Sequence, residues 1–177
     1  LKSAPFAALS LIAGTASGQI IPSSQATPQV AAAVGHDDYA RFYAASKNAP
    51  IWFRSGQAEA GPALINVLRR STIEGFARGP QLATEVEAAL ARAQSGDAAA
   101  LLEADKVLSR AWVAYVQAIH APTPGMLYGE KWVTPVVPTT FAVLAPALRA
   151  PSLADHIKSV SAVNPIYVAL RETALKE

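Results

Sequence analysis

Three histidines, His36, His120 and His156, are the first residues to weigh for metal or acid–base chemistry. They lie far apart in the chain, and none sits in an H-E-x-x-H or similar ligand spacing, so no metal site is expected. Cysteine is absent, which removes thiolate ligands and a thiol nucleophile from these residues. There is no G-x-S-x-G elbow, S-x-x-K, P-loop or G-x-G-x-x-G, and no cofactor is expected. The acids come in close pairs: Asp37 with Asp38, Glu85 with Glu87, Glu103 with Asp105. On a helix, side chains two apart point to different faces, so none of these pairs is an acid–base couple by itself. Glu74, beside Gly75-Phe76 at a helix end, is the one acid kept as a candidate for glycan hydrolysis; the competing reading is an exposed residue of a terminal turn. No catalytic residue is assigned.

Aromatic side chains carry more information than the acids. Trp52, Phe53, Trp112, Tyr115, Tyr128, Trp132 and Tyr167 could each cover the apolar face of a saccharide ring, but most are more simply core. Trp112 and Tyr115 belong to a helical apolar seam and are expected to pack. Trp132, in a Pro-rich stretch after Gly129-Glu130-Lys131, is the better surface candidate, and Trp132, Tyr128 and Trp52 are the expected glycan contacts. Trp52 also has an alternative. In KNAPIWFRSG, residues 47 to 56, three large apolar residues in a row cannot share one helical stripe, and Pro50 biases its predecessor toward extended backbone. The segment is therefore a short buried strand, a packed loop or a binding lip, and the expected form is a rigid packed connector that fixes the first helix against the second by burying two aromatic rings.

The elements that must position these residues are helices. The chain has 177 residues, is 51% hydrophobic yet only 7% aromatic, and owes much of its apolar content to alanine, the best helix former and a poor strand former. The spacing predicts a helix over HDDYARFYAASK, with Asp37 or Asp38 as cap and Tyr39, Phe42 and Tyr43 on one face. A second runs from Gln57 to Arg70 with Leu64, Val67 and Leu68 aligned and Gly75 as its stop. A third opens at Gly79-Pro80 and closes at Gly96. The strongest is capped by Asp97 and continues to about Ile119, with Leu101, Leu108, Trp112, Tyr115 and Ile119 as its seam. Residues 121 to 138 hold too many prolines and glycines for a regular element. Three short helices follow, over Thr139 to Ala150, Ser152 to Ser161 and Pro165 to Leu175, with Pro146 expected to kink or split the first. The expected fold is all-α: a compact multi-helix scaffold of about six to seven helices with Pro-rich connecting loops.

The amino-terminal part reads differently. Lys2, the apolar run APFAALSLIAG and the small residues Thr15-Ala16-Ser17-Gly18 predict a signal peptide over residues 1–18, with Leu1 in place of a Met leaving room for an incomplete one. Residues 19–35, broken by Pro22 and Pro28, predict an exposed linker, and residues 36–177 the helical scaffold domain. The run is too short to span a bilayer, so no stable membrane span is expected after cleavage. The fifteen Lys and Arg, giving a formal charge of +2, form no cluster, which excludes a nucleic-acid footprint. An exported, cysteine-free, Ala-rich chain points to the periplasm.

The succession FYAASKNAPIWFRSG, LINVLRRSTIEGF, VEAALARAQSGDAAALLEADKVLSRAWVAYVQAIHAPTPG, KWVTP and NPIYVALRETAL resembles the helical scaffold domain of the large multidomain L,D-transpeptidases of Gram-negative bacteria. The resemblance covers residues 39 to 175. It implies a periplasmic cell-wall role in which a catalytic cysteine, within a Ser-His-Gly-Cys type motif of a separate β-rich domain, forms 3→3 peptidoglycan cross-links. No such motif occurs in this sequence, so no catalytic residue carries over. The expectation is a fragment of a larger transpeptidase or a scaffold-only relative, whose partner is peptidoglycan or a transpeptidase catalytic domain. Two alternatives stand beside it: a peptidoglycan-binding module using exposed aromatics, and a small lytic enzyme using Glu74.

Overall fold

The computed structural model describes residues 38–162 and Thr173. The described residues form six helices and no strand, so the chain is all-α. In chain order they are α1 over residues 38–45, α2 Ala60–Arg70, α3 Gly79–Ala93, α4 Ala98–Ile119, α5 Thr140–Arg149 and α6 Leu153–Ser161. Two short 3-10 turns, Ser71–Glu74 and Lys131–Val133, punctuate the connections. The expected helix over Pro165 to Leu175 lies outside the described residues, as do the signal peptide and linker.

Helices α3 to α6 begin where the sequence supplies an acceptor for free N–H groups or a fixed φ. The Asp97 carboxylate accepts from the Ala100 N–H at 3.0 Å, Thr139 Oγ1 from Ala142 and Ser152 Oγ from Asp155, each satisfying a donor that has no helical partner. Pro80 stands in the first turn of α3, where its missing N–H costs nothing. Pro146 does not split α5, which runs unbroken from Thr140 to Arg149. The proline removes the bond to the Ala142 carbonyl, and Ala142 is an exposed residue.

Helix α4 is the centre of the assembly, packed on α3 and α5 and touching α2, while α2 packs on α3 and α6. Its seam buries Leu108, Trp112 and Tyr115 completely, with the indole and phenol rings stacked at 5.7 Å. Ala104 and Ala111, also buried, let neighbouring backbones approach. Fully burying each of the large side chains contributes about 1.5–3 kcal/mol. The α2–α3 corner depends on one glycine. A Cβ on Gly79 would sit 1.7 Å from Ser71 Oγ and 2.4 Å from the Leu68 carbonyl oxygen. Ser71 is held there because its hydroxyl donates to that same carbonyl at 2.8 Å.

Candidate functional site

KNAPIWFRSG turns out to be a packed loop, the hub that sets the helices relative to one another. After α1 the chain passes through Lys47 and Asn48, both with φ near +55°, and enters the core with Ile51 and Trp52 buried and Phe53 half-buried. Buried backbone must be hydrogen-bonded, and here α4 supplies the acceptor. Asp105 Oδ2 accepts from the Ile51 and Trp52 N–H groups, both at 2.8 Å, and Oδ1 accepts from the Tyr43 hydroxyl at 2.7 Å. One turn further along α4, Ser109 Oγ lies 2.8 Å from the Tyr43 hydroxyl and accepts from the Trp52 indole N–H at 2.9 Å.

The direction of this chain of bonds follows from its members. An indole can only donate, and the single phenol proton is committed to Asp105, so the Ser109 hydroxyl must donate to Tyr43. Protons therefore point from Trp52 through Ser109 and Tyr43 to one buried carboxylate. Burial pushes the Asp105 carboxyl above the usual carboxylate range, against the opposing pull of the Tyr43 hydroxyl and the backbone N–H groups of Trp52, Ile51 and Phe53. Burial, reinforced by the Asp105 charge, holds the Tyr43 phenol well above its ordinary range.

The same loop grips the opposite side of the fold. Arg54 donates through Nη2 to the carbonyls of Ala147 and Ala150 at the carboxyl end of α5, at 3.1 and 3.3 Å. A cation there meets both the free carbonyls and the negative end of the helix dipole. Gln57 bridges the α5–α6 junction, donating to the Pro151 carbonyl at 2.9 Å and accepting from the Leu153 N–H at 2.7 Å. Residues 47–57 thus tie α1, α4, α5 and α6 together through buried or half-buried polar groups.

Such clamping fixes the stretch between α4 and α5. Gln117 of α4 donates to the Pro138 carbonyl at 3.0 Å, and His120 Nδ1 donates to the Val116 carbonyl at 2.9 Å. The Tyr128 hydroxyl accepts from the Thr123 N–H at 3.0 Å, and the Met126 N–H reaches the Thr123 carbonyl at 3.1 Å. On this anchored connector the apolar side chains face outward: Met126, Leu127, Trp132, Val133, Val136, Val137 and, at the start of α5, Phe141. Among the described residues only one other large hydrophobic, Ile73, is exposed. Leu127 is 97% and Trp132 83% accessible. Phe141 rests edge-on against buried Phe42 at 5.6 Å, which couples this face to α1. Behind the connector lies a cavity of ≈ 220 Å³ bordered by Trp112, His120, Val136, Pro138 and His156. Burial keeps the His156 imidazole below its ordinary range, with its ring edge-on to Trp112 at 6.1 Å.

The residues expected to contact glycan part company. Trp132 is open on the connector and Tyr128 half-buried beside it. Trp52 is 3% exposed with its indole N–H already used, so it has no face to offer a sugar ring; its expected role as a contact is replaced by packing. Glu74 sits half-buried on the Ser71–Glu74 turn, at the α2–α3 corner. Glu103 and Asp105 divide as their spacing requires, the first exposed and the second buried. Asp105 and Ser109 were not expected as key residues. Their signal was present as two polar groups, at i and i+4, inside the apolar stripe of α4. Among the described residues no group of three or more His, Asp or Glu could hold a metal ion, and no helix is long and apolar enough to cross a membrane.

No curated protein and no solved structure matches the chain. The family model described as Scaffold domain matches residues 37–173, a span that takes in the hub, all six helices and the connector. The chain belongs to the Scaffold domain family.

Proposed function

We propose that the chain is the noncatalytic scaffold of a periplasmic L,D-transpeptidase-like cell-wall protein, and that the 126–141 face holds a catalytic domain or partner in place at peptidoglycan. The observation that carries this reading is the concentration of exposed apolar side chains on one anchored connector. Exposed apolar groups grouped in this way mark a surface that another surface covers. A docking face is useful only if its geometry is fixed, and the hub through Asp105, Arg54 and Gln57 supplies that rigidity.

The test is binding in trans. The 177-residue chain is titrated with a purified β-rich catalytic domain of a multidomain L,D-transpeptidase, alongside a Leu127→Ser/Trp132→Ser variant. Both positions are almost fully exposed, so the variant should keep the parent's thermal midpoint. Loss of two central apolar contacts should weaken binding by at least about tenfold. Equal affinity of the variant and the parent would remove this face from the proposal.

A second reading has its own support in the accessibility of Trp132, with Tyr128 nearby in sequence: a peptidoglycan-binding module that stacks saccharide rings on these aromatics. Sedimentation with purified sacculi separates the two. A scaffold without its partner stays in the supernatant, whereas a binding module pellets with the sacculi and stops doing so on Trp132→Ser.

A further inference from the structure

Between α1 and α4 lies a groove of ≈ 260 Å³ lined by Tyr39, Ala40, Tyr43, Glu103, Lys106 and Arg110. We propose that this groove binds a small monocarboxylate with an apolar body, its carboxylate on the Arg110 guanidinium and its body against the Tyr39 ring. The inference does not rest on the scaffold reading.

The charge pattern comes first. Arg110 is half-buried, and its Nε donates to the Lys106 carbonyl at 3.2 Å, which pins the base of the guanidinium. Its terminal nitrogens make no ion pair or hydrogen bond with the described residues. Glu103 is near enough to feel its charge but makes its direct bond to Lys106, which leaves the planar fork of N–H groups free to hold a carboxylate in two parallel bonds. Lys106, one turn away, pairs with Glu103 at 2.7 Å. The two cations and one anion among the lining residues leave one formal positive charge, which suits a singly charged carboxylate.

The walls specify the rest. Tyr43 is buried with its hydroxyl turned inward to Asp105 and Ser109, so it offers the groove only a small apolar edge, and the half-buried Tyr39 supplies the ring face. The Tyr39 hydroxyl is engaged by Thr140, and burial pushes its phenol up to about 12, so it stays neutral. Ala40 leaves the space between them open. An inorganic anion would leave this apolar wall unfilled; an aliphatic or planar organic acid would cover it.

Two sources present this chemistry, a free organic acid and the carboxyl terminus of a peptide. The test is two-dimensional NMR of the ¹⁵N-labelled 177-residue chain titrated with N-acetyl-alanine, with an acetylated Ala-Ala peptide acid, with the matching amides, and with inorganic phosphate. The expected result is saturable shifts at Tyr39, Ala40 and Arg110 for an acid, a loss of at least about tenfold in affinity for its amide, and a similar loss in Arg110→Gln. Saturation by the peptide acid alone assigns the site to chain termini; saturation by both acids assigns it to free acids as well. Because the acid–amide comparison uses the unaltered protein, it stands even if Arg110→Gln unfolds. Amides or phosphate binding as well as the acids would overturn the proposal, as would the absence of saturable shifts at about 20 mM acid.

Discussion

Replacing Asp105 by alanine should be the most damaging single change in the hub. The carboxylate holds the N–H groups of Ile51 and Trp52 and the hydroxyl of Tyr43, and all three residues are at most 3% exposed. Each donor stranded without an acceptor costs about 1–3 kcal/mol. Three of them would sum to about 3–9 kcal/mol, but the wild-type chain also bears the desolvation of a buried charge, which the substitution relieves. The net loss should therefore fall near the low end, about 3–5 kcal/mol, the range seen when one partner of a buried charged network is removed. With a urea slope of about 2 kcal/mol per molar, the midpoint should drop by about 1.5–2.5 M with the slope unchanged. Asp105→Asn keeps the shape but puts an NH₂ group where acceptors are needed, and should recover only part of the loss. A midpoint shift under about 0.5 M for Asp105→Ala would mean that water or relaxation satisfies these donors, and the account of a rigid hub would fail.

Further changes probe other links. Trp52→Phe retains most of the buried ring but removes the indole donor to Ser109, and should cost about 1–2 kcal/mol in urea unfolding, well below the roughly 3–5 kcal/mol of Trp52→Ala. Gly79→Ala places a methyl into Ser71 Oγ and the Leu68 carbonyl, so the α2–α3 corner must open, at a cost of about 1–3 kcal/mol measured by the same unfolding curve. His156 has its folded pKa depressed by burial. Its contribution is present above the unfolded value of 6.5 and is lost as pH falls through the lower folded value; His156→Leu should flatten the fall of thermal midpoint over that acidic range. Asp105 runs the other way. Its raised folded pKa gives a contribution that is full below its ordinary value of 3.8 and is lost as pH rises through the folded value, and Asp105→Asn should abolish that slope.

Much of the helical framework was legible from local residues. Asp97, Ser152, Gly79-Pro80 and Gly96 act within one turn of where they stand, so their types alone marked the boundaries. The Leu108–Trp112–Tyr115 seam was legible for the same reason, because helical spacing is a local property. The hub was not. Asp105 bonds to residues 53, 54 and 62 positions away, and no local pattern distinguishes a buried carboxylate with distant donors from an exposed one on a solvated face. The Ile51-Trp52-Phe53 run was legible as a packed connector, whereas the acceptors on α4 that satisfy its backbone were not. Pro146 misled in the other direction, since whether a helix breaks at proline depends on what the freed carbonyl meets. The docking face was half legible: Trp132 in a Pro-rich stretch suggested exposure, while Leu127, Val136 and Phe141 became part of one surface only once the connector was anchored by Gln117 and Thr139.

Hydrogen–deuterium exchange across the 177-residue chain, with and without the catalytic domain of a multidomain L,D-transpeptidase, tests the central claim most directly. A rigid holder that docks through its connector should show slow exchange at residues 51, 52 and 105–116 in both states, and new protection on binding confined to residues 126–141. Fast exchange in the hub of the free chain, or protection that appears elsewhere while 126–141 stays unchanged, would contradict it.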